Sequence, residues 1–502
     1  MNKITNFLYL NSENIKINYL YLTILLFSTF LAISIFYDIF QIHIYRHDAL
    51  YYMPNDDTYY RAKVATEGRW INYILFNVLT LISGSILSIF VLLSFGYFIF
   101  TATYKWTKNY YYSLIVSLLF IQIPSFYDLI TWPATSTPAF LVLLLSVILQ
   151  KRLNIFFYFV LFGILFFGTM SNYYYLLPLL YLSYLKNHNC KQNIKFVSFK
   201  LIPAWAIGFI AGYIVTQLII YINFDHFMKI ALWRGPHYIH SIHDLIENIS
   251  RSINYLERDI KSIFLNSWLV LLFIFSLIVG IIDRRKYLVF IPIGLFYLIV
   301  VIHYFIVIPV GIYISPRTIV ATWVGVLTIF FFVPSIKNWQ IYLLTPIIVF
   351  ISYRLYLDNH HNLQWYGNVT NTHFNKLLSE SPKSPDKYKG VILYASYSDI
   401  KKRDALISKI NNTPKGSNIE GQDGFMRWAS NAWESGFKSV SNCSGEKGRN
   451  ALWYSVKDLN IRCKEISTDR KTVSKKDITF YHIIGEYDGI LIISFNERWN
   501  HK

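Results

Sequence analysis

Charge and cysteine are both scarce in this chain. Only 15% of its 502 residues are charged, against about a quarter in a soluble chain of this length. That shortage excludes an ordinary water-soluble globule. The three cysteines show no CxxC or mixed His/Cys spacing, so they outline no zinc site. There is no convincing internal repeat, and the apolar stretches are nearly free of charge, which argues against a carrier built from duplicated halves. The net charge of +18 is not gathered on a soluble basic face with base-reading elements, so nucleic acid is not an expected partner. The charge fits topology signals and contact with anionic lipid.

What the chain has instead is apolar surface: 54% of residues are hydrophobic and 18% aromatic. About 20 apolar residues suffice to span a bilayer, and stretches of that kind recur. The expected fold is a polytopic α-helical membrane protein with about eleven transmembrane helices. These are expected near 17–40, 71–101, 111–125, 138–150, 155–170, 173–185, 198–222, 264–282, 287–310, 319–335 and 339–355. Three short ones, 111–125, 138–150 and 173–185, read as broken, tilted or partly re-entrant. The first run is too long for a signal-peptide core and has no small-residue cleavage site after it, so a retained helix is expected. After residue 355 the composition turns polar. Residues 1–355 therefore read as a membrane domain and 356–502 as a soluble one. "KGVILYAS" (389–396) and "YDGILIISF" (487–495) are strand-like and "DIKKRDALISKINN" (399–412) is helix-like, so the second domain is expected to be mixed α/β. It carries no Gly-rich phosphate loop, nucleophile motif or metal spacing. Its Trp428, Trp433 and Trp453 are candidate saccharide contacts or core residues.

Basic short loops at 105–109, 151–154, 186–195, 283–286 and 336–338 alternate with longer, more acidic and more aromatic ones at 41–70, 126–137, 223–263 and 311–318. The positive-inside rule then puts the N-terminus in the cytoplasm and, with an odd helix count, the C-terminal domain outside. Cys190 falls on the reducing side. Cys443 and Cys463 fall in an oxidising compartment, where a disulfide between them would contribute about 3 kcal/mol; two buried thiols are the alternative.

The loop "MPNDDTYYRAKVATEGRW" (53–70) is dense in both signs of charge. Asp57 and Arg61 share a helix face, and an Asp–Arg surface pair behind a helix cap at "PNDD" would account for the pattern. A second reading is a carboxylate that takes a proton from a hydroxyl, beside cations that neutralise a leaving phosphate. Other outer segments add candidates. Trp132, close to Asp128, is placed either to stack on a sugar or to anchor the interface. "SNYYY" (171–175) reads as a tight turn in an aromatic belt. "FDHFMKIALWRGPHYIH" (224–240) has the spacing of an interfacial amphipathic helix, whose Lys229, Arg234 and His237 are placed to meet a lipid phosphate. His237, His240 and His243 recur at ligand-like spacing, although a His-rich loop without metal is the commoner arrangement. Arg317, at the start of a late span, needs an anion or carboxylate partner at that depth. His303 reads as a neutral side chain packed on a polar neighbour.

The stretch "NDDTYYRAKVATEGRW", between a first and a second span, resembles the first outer loop of GT-C glycosyltransferases, which use polyprenyl-phosphate sugars. The whole layout, with many spans and a C-terminal periplasmic domain, is similar to bacterial serotype-converting O-antigen glucosyltransferases of the glucosyltransferase II type. The resemblance implies a multi-pass protein of the bacterial inner membrane. It implies transfer of a sugar, glucose in that family, to an O-antigen or lipopolysaccharide acceptor by direct inverting displacement. By motif position Asp56 is the base and Asp57 orients the acceptor or supports Arg61. The pair is Asp-Asp where other GT-C branches have Asp-Glu. Arg61 and Arg69 in the same loop are candidates to bind the lipid phosphate or sugar, and Arg317 matches a phosphate-binding basic residue late in GT-C cores. No cofactor or divalent metal is expected, because polyprenyl phosphate leaves readily. A donor flippase and a donor-synthesising transferase are expected alongside. The alternatives are a flippase or transporter for lipid-linked oligosaccharide and an O-antigen polymerase, for which the long 223–263 loop speaks.

Overall fold

The computed structural model describes residues 19–41, 58–79, 81–186, 190–230, 234–264, 302–315, 318–332, 338–394, 440–443, 482–487 and 489–494, with a few isolated positions between them. Over these residues the chain is mostly helical and compatible with a helical membrane protein. The first apolar run forms α1 (Tyr19–Gln41). The expected second span is instead two helices preceded by a short one: α2 (Thr58–Glu67), α3 (Trp70–Leu79) and α4 (Gly84–Thr107). The break between α3 and α4 is made by Ser83, whose hydroxyl accepts from the Ile86 amide at 3.5 Å and caps α4. The run is apolar on both sides of it, so periodicity does not mark the break.

Next come α5 (Tyr110–Phe120), capped by the Asn109 side chain at 2.9 Å from the Tyr112 amide, and α6 (Pro124–Tyr127). α5 and the stretch Pro124–Thr131 meet at a 68° bend, in keeping with the broken span expected there. α7 (Pro133–Leu149) and α8 (Ile155–Phe167) follow. "SNYYY" is not a belt turn. It opens a 3₁₀ helix, Ser171–Tyr181, in which Tyr173, Tyr174 and Tyr175 are all buried. The Tyr174 hydroxyl donates to the Trp205 carbonyl at 2.7 Å, so these rings are core. α9 (Leu182–Lys186) and α10 (Cys190–Phe196) lead through a π turn into α11 (Ile202–Phe224).

α12 (Ile242–Phe264), α13 (Ile302–Phe305), α14 (Val320–Phe332) and α15 (Asn338–Ser379) complete the helices. At 42 residues α15 is about 63 Å long. The expected domain boundary at 355 therefore falls inside one continuous helix.

Three helical stretches among the described residues are long and apolar enough to cross a membrane: Leu22–Phe40, Gly84–Thr107 and Lys191–Phe224. The bent pair makes a fourth if it is one span, and α3, α7 and α8 are shorter apolar helices. The expected spans 264–282 and most of 287–310 lie outside the described residues, as does 399–412.

α8 and α11 approach so closely that a Cβ on Gly163 would lie 2.0 Å from the Gly208 carbonyl oxygen, and one on Gly208 2.3 Å from that of Phe159. Small residues permit this backbone contact, the usual way apolar helices associate where no hydrophobic drive separates helix from lipid. The first and last long helices meet through a polar pair as well as the apolar core: His360 Nδ1 lies 2.7 Å from the buried Asp38 carboxylate. The next residue back, Asn359, ties the last helix to the turn after α5, donating to the Gln122 carbonyl at 2.8 Å.

The C-terminal strands are β1 (Gly390–Tyr394), β2 (Val440–Cys443), β3 (His482–Tyr487) and β4 (Ile490–Ser494). They form one sheet in the order β2-β1-β4-β3. β1 pairs in parallel with both neighbours, and β3 pairs antiparallel with β4. The two strand-like apolar runs are β1 and β4. Trp428, Trp433, Trp453 and Cys463 lie outside the described residues, as does the Cys443 side chain.

Candidate functional site

The site is built where α2 meets two later segments. α2 stops at Gly68, whose φ of +75° favours glycine and where a Cβ would lie 2.6 Å from the Thr216 methyl of α11. The turn carries Glu67 inward. Its side chain is 3% exposed and is met by three cations: Lys63 Nζ at 2.6 Å, Arg69 Nη2 at 2.7 Å and Arg234 Nη2 at 3.9 Å. Burial alone would push the Glu67 carboxyl up. The charges of Arg69, Lys63 and Arg234 outweigh it and hold its pKa well below the usual carboxylate range. One buried negative charge thus gathers three positive ones.

Residues 225–230 lie against α2. The Lys229 amide donates to the Ala65 carbonyl at 3.3 Å, and the Met228 amide to the Gln217 side chain at 2.9 Å. The Lys229 side chain is exposed and Arg61 stands apart from the Glu67 group, its guanidinium 5.7 Å from the Phe224 ring. The expected amphipathic helix over 224–240 is not formed, since the described residues 227–230 and 235–240 are non-helical. The amphipathic helix is α12, opened by a capping box in which the Asp244 amide donates to Ser241 Oγ at 3.2 Å and Asp244 accepts from the His240 amide at 3.0 Å.

α12 then holds the loop. The Asn248 amide nitrogen donates to the His237 carbonyl at 2.7 Å and to the Ile308 carbonyl at 2.9 Å. Its oxygen lies 3.0 Å from His237 Nδ1 and accepts from it. His237 Nε2 is left facing Asp244 at 3.6 Å and Glu247 at 3.8 Å. The His237 amide also donates to the Val310 carbonyl at 2.9 Å, and the Tyr313 amide to the Arg234 carbonyl at 2.8 Å. Further along α12, Arg258 bonds the buried Asp259 at 2.7 Å and the Ile314 carbonyl at 2.9 Å. Asp259 in turn accepts from the Tyr304 hydroxyl at 2.8 Å. α2, the 225–241 segment and residues 308–315 are in this way tied into one unit.

Arg69 and Arg234 are therefore brought together on Glu67, with His237 on the same loop as Arg234. Asp56, Asp57 and Arg317 lie outside the described residues. Trp132 is buried, 6% exposed. His237, His240 and His243 do not share a helical face, because only His243 is in α12. No group of three His, Cys, Asp or Glu side chains among the described residues is arranged to hold a metal ion. His303 is buried, its ring perpendicular to those of Tyr175 and Tyr304 with centroids at 5.1 and 5.4 Å.

Sequence reasoning missed Glu67, Lys63, Asn248 and the Arg258–Asp259 pair. Lys63 and Glu67 were within reach, being four residues apart on one helix; the partnership with Arg234 was not. No protein-family model matches the chain, and no curated protein or solved structure matches it either.

Proposed function

We propose that the chain is a membrane glycosyltransferase of GT-C type, moving a sugar from polyprenyl phosphate to an O-antigen or lipopolysaccharide acceptor. The observation that carries this reading is the convergence of Lys63, Arg69 and Arg234 on one buried carboxylate. The cluster begins six residues after Asp57 in the sequence. An acid pair followed by a held group of cations is what the reaction needs. The acceptor hydroxyl attacks the anomeric carbon, one aspartate takes its proton, and the glycosidic C–O bond breaks with its electrons going to the phosphate. Cations near that oxygen stabilise the charge it gains. Asp56 is the base, Asp57 orients the acceptor or supports Arg61, and Arg317 joins the phosphate group. The reaction runs without a divalent metal. About eleven spans carry the site to the periplasmic face of a bacterial inner membrane. The sheet-bearing C-terminal region is a mixed α/β periplasmic domain, closed by a Cys443–Cys463 disulfide, that receives the acceptor. The donor comes from a separate transferase and flippase.

The test is the O-antigen composition of cells expressing the wild type, Asp56→Asn and Asp57→Asn at matched membrane levels. The wild type is expected to add a hexose branch and Asp56→Asn to abolish it, a loss of at least about 100-fold for removal of a general base. Loss with Asp57→Asn alone would move the base to Asp57. A branch made equally by all three would remove the acid pair from the chemistry. No branch from any version, despite supplied donor, would favour a flippase or polymerase.

A further inference from the structure

α12 is inside out for a helix of a water-soluble protein. Its buried side is largely polar: Asn248, Ser252 and Asp259 face the protein, joined in the last turn by Ile263. Over the first three turns its apolar stripe faces away. Ile242, Leu245, Ile246 and Ile253, spaced to share one face, are 78%, 37%, 60% and 49% exposed. A third sector, with Asn254, Glu257 and Lys261, is exposed and polar. Water on the apolar stripe is unfavourable in proportion to its area. A helix with one polar side on protein, one polar side in water and a bare apolar stripe between them matches the boundary of a bilayer.

Two observations choose the occupant. The exposed apolar side chains continue from a candidate span. Leu218, Tyr221 and Ile222 at the end of α11 are exposed, then Phe227 and Tyr238, then Ile242. The exposed apolar residues thus follow, along the chain, directly on a helix already suited to lipid. α12 also carries four carboxylates, Asp244, Glu247, Glu257 and Asp259, against Arg251, Arg258 and Lys261. That balance offers nothing to anionic headgroups, so the partner is the hydrocarbon layer. We infer that α12 lies in the plane of the membrane surface with its isoleucine stripe in the acyl layer, and that this seating sets the height of the segments Asn248 and Arg258 hold. Those segments carry Arg234 and His237. The inference needs only a membrane protein, not the glycosyltransferase reading.

A nitroxide placed on a cysteine at Ile246, Ile253 or Asn254 tests it in phosphatidylethanolamine/phosphatidylglycerol proteoliposomes, with Cys190, Cys443 and Cys463 replaced by serine. At positions 246 and 253, collisions with oxygen are expected to exceed those with a water-soluble nickel chelate several-fold. At Asn254 the order is expected to reverse. Leaving out phosphatidylglycerol is expected to change neither. Nickel collisions at 246 and 253 equal to those at 254 would put the stripe in water and overturn the inference. Low collisions with both agents would mean that protein covers it, a second copy or another part of this chain, and would overturn it too. If the cysteine-free background does not fold, benzoylphenylalanine at Ile246 in the native chain poses the same question. Cross-linking to phospholipid is expected, and cross-linking to protein alone refutes the seating.

Discussion

A carboxylate as buried as that of Glu67 keeps its charge only because three cations surround it. Its folded pKa is lowered, so its stabilising effect is fully present above its unfolded value, near about 4.3, and is lost as the pH falls below that. Glu67→Gln removes the carboxylate that Lys63, Arg69 and Arg234 share, each of them about a quarter exposed or less. The expected loss is roughly 3 kcal/mol at neutral pH. Melting of the detergent-solubilised protein from about pH 3 to 8 should show the gap between wild type and Glu67→Gln constant above about pH 5 and closing below about pH 4. A gap independent of pH across that range would mean that Glu67 acts through its shape and not its charge. A second residue-scale prediction concerns Asn248, which satisfies two carbonyls of different segments at once. Asn248→Ala leaves both without that donor and should cost about 2 kcal/mol. Asn248→Asp, which keeps the size but not the NH₂ group, should be no better; recovery with Asp would refute the donor role.

At the scale of elements, apolar periodicity located α1, α4, α8 and α11, because a stripe that must meet lipid or core leaves a long run in the sequence. The same physics hid the break at Ser83, since an apolar run reads alike whether one helix or two cross it. It also misplaced the amphipathic helix. Residues 224–240 have the aromatic and basic composition of an interfacial helix, but Gly235 and Pro236 interrupt them, and the capping box lies later, at Ser241 and Asp244. The Glu67 group was half legible. Its near pair lies on one helix, while Arg234 arrives from 167 residues away through backbone bonds that no spacing encodes. The α8–α11 contact, also invisible to periodicity, is testable directly. Gly208→Ala puts a methyl group where the Phe159 carbonyl stands, so the helices must part. The expected loss is about 1–3 kcal/mol. Gly96→Ala, whose Cβ would lie 3.2 Å from the Ser117 hydroxyl, should lose less. Equal melting temperatures for the two variants would show that α8 and α11 can part at Gly208 at little cost.

Across the whole molecule the first and last long helices, which share the apolar core, are also joined by a polar contact. Asp38 near the end of α1 and His360 on α15 are 322 residues apart in the chain and 2.7 Å apart in space. Asp38 is buried, while His360 is partly exposed, so the pair closes the helical array with a carboxylate that has little access to water. Such a contact is expected to contribute little net stability, because desolvation offsets the attraction, yet to be expensive to break from one side. His360→Ala leaves the buried Asp38 carboxylate with Tyr356 but without its imidazole partner, whereas the double variant Asp38→Asn/His360→Ala leaves no buried charge there. The double variant should therefore melt higher than His360→Ala alone, with a coupling of about 1–3 kcal/mol from a full double-mutant cycle. Additive effects would mean that α1 and α15 do not depend on this contact. A coupling of the expected size would show that α15, which runs on from this point to the residues before β1, is fastened to the first helix, and that the C-terminal sheet follows from a fixed end of the membrane region.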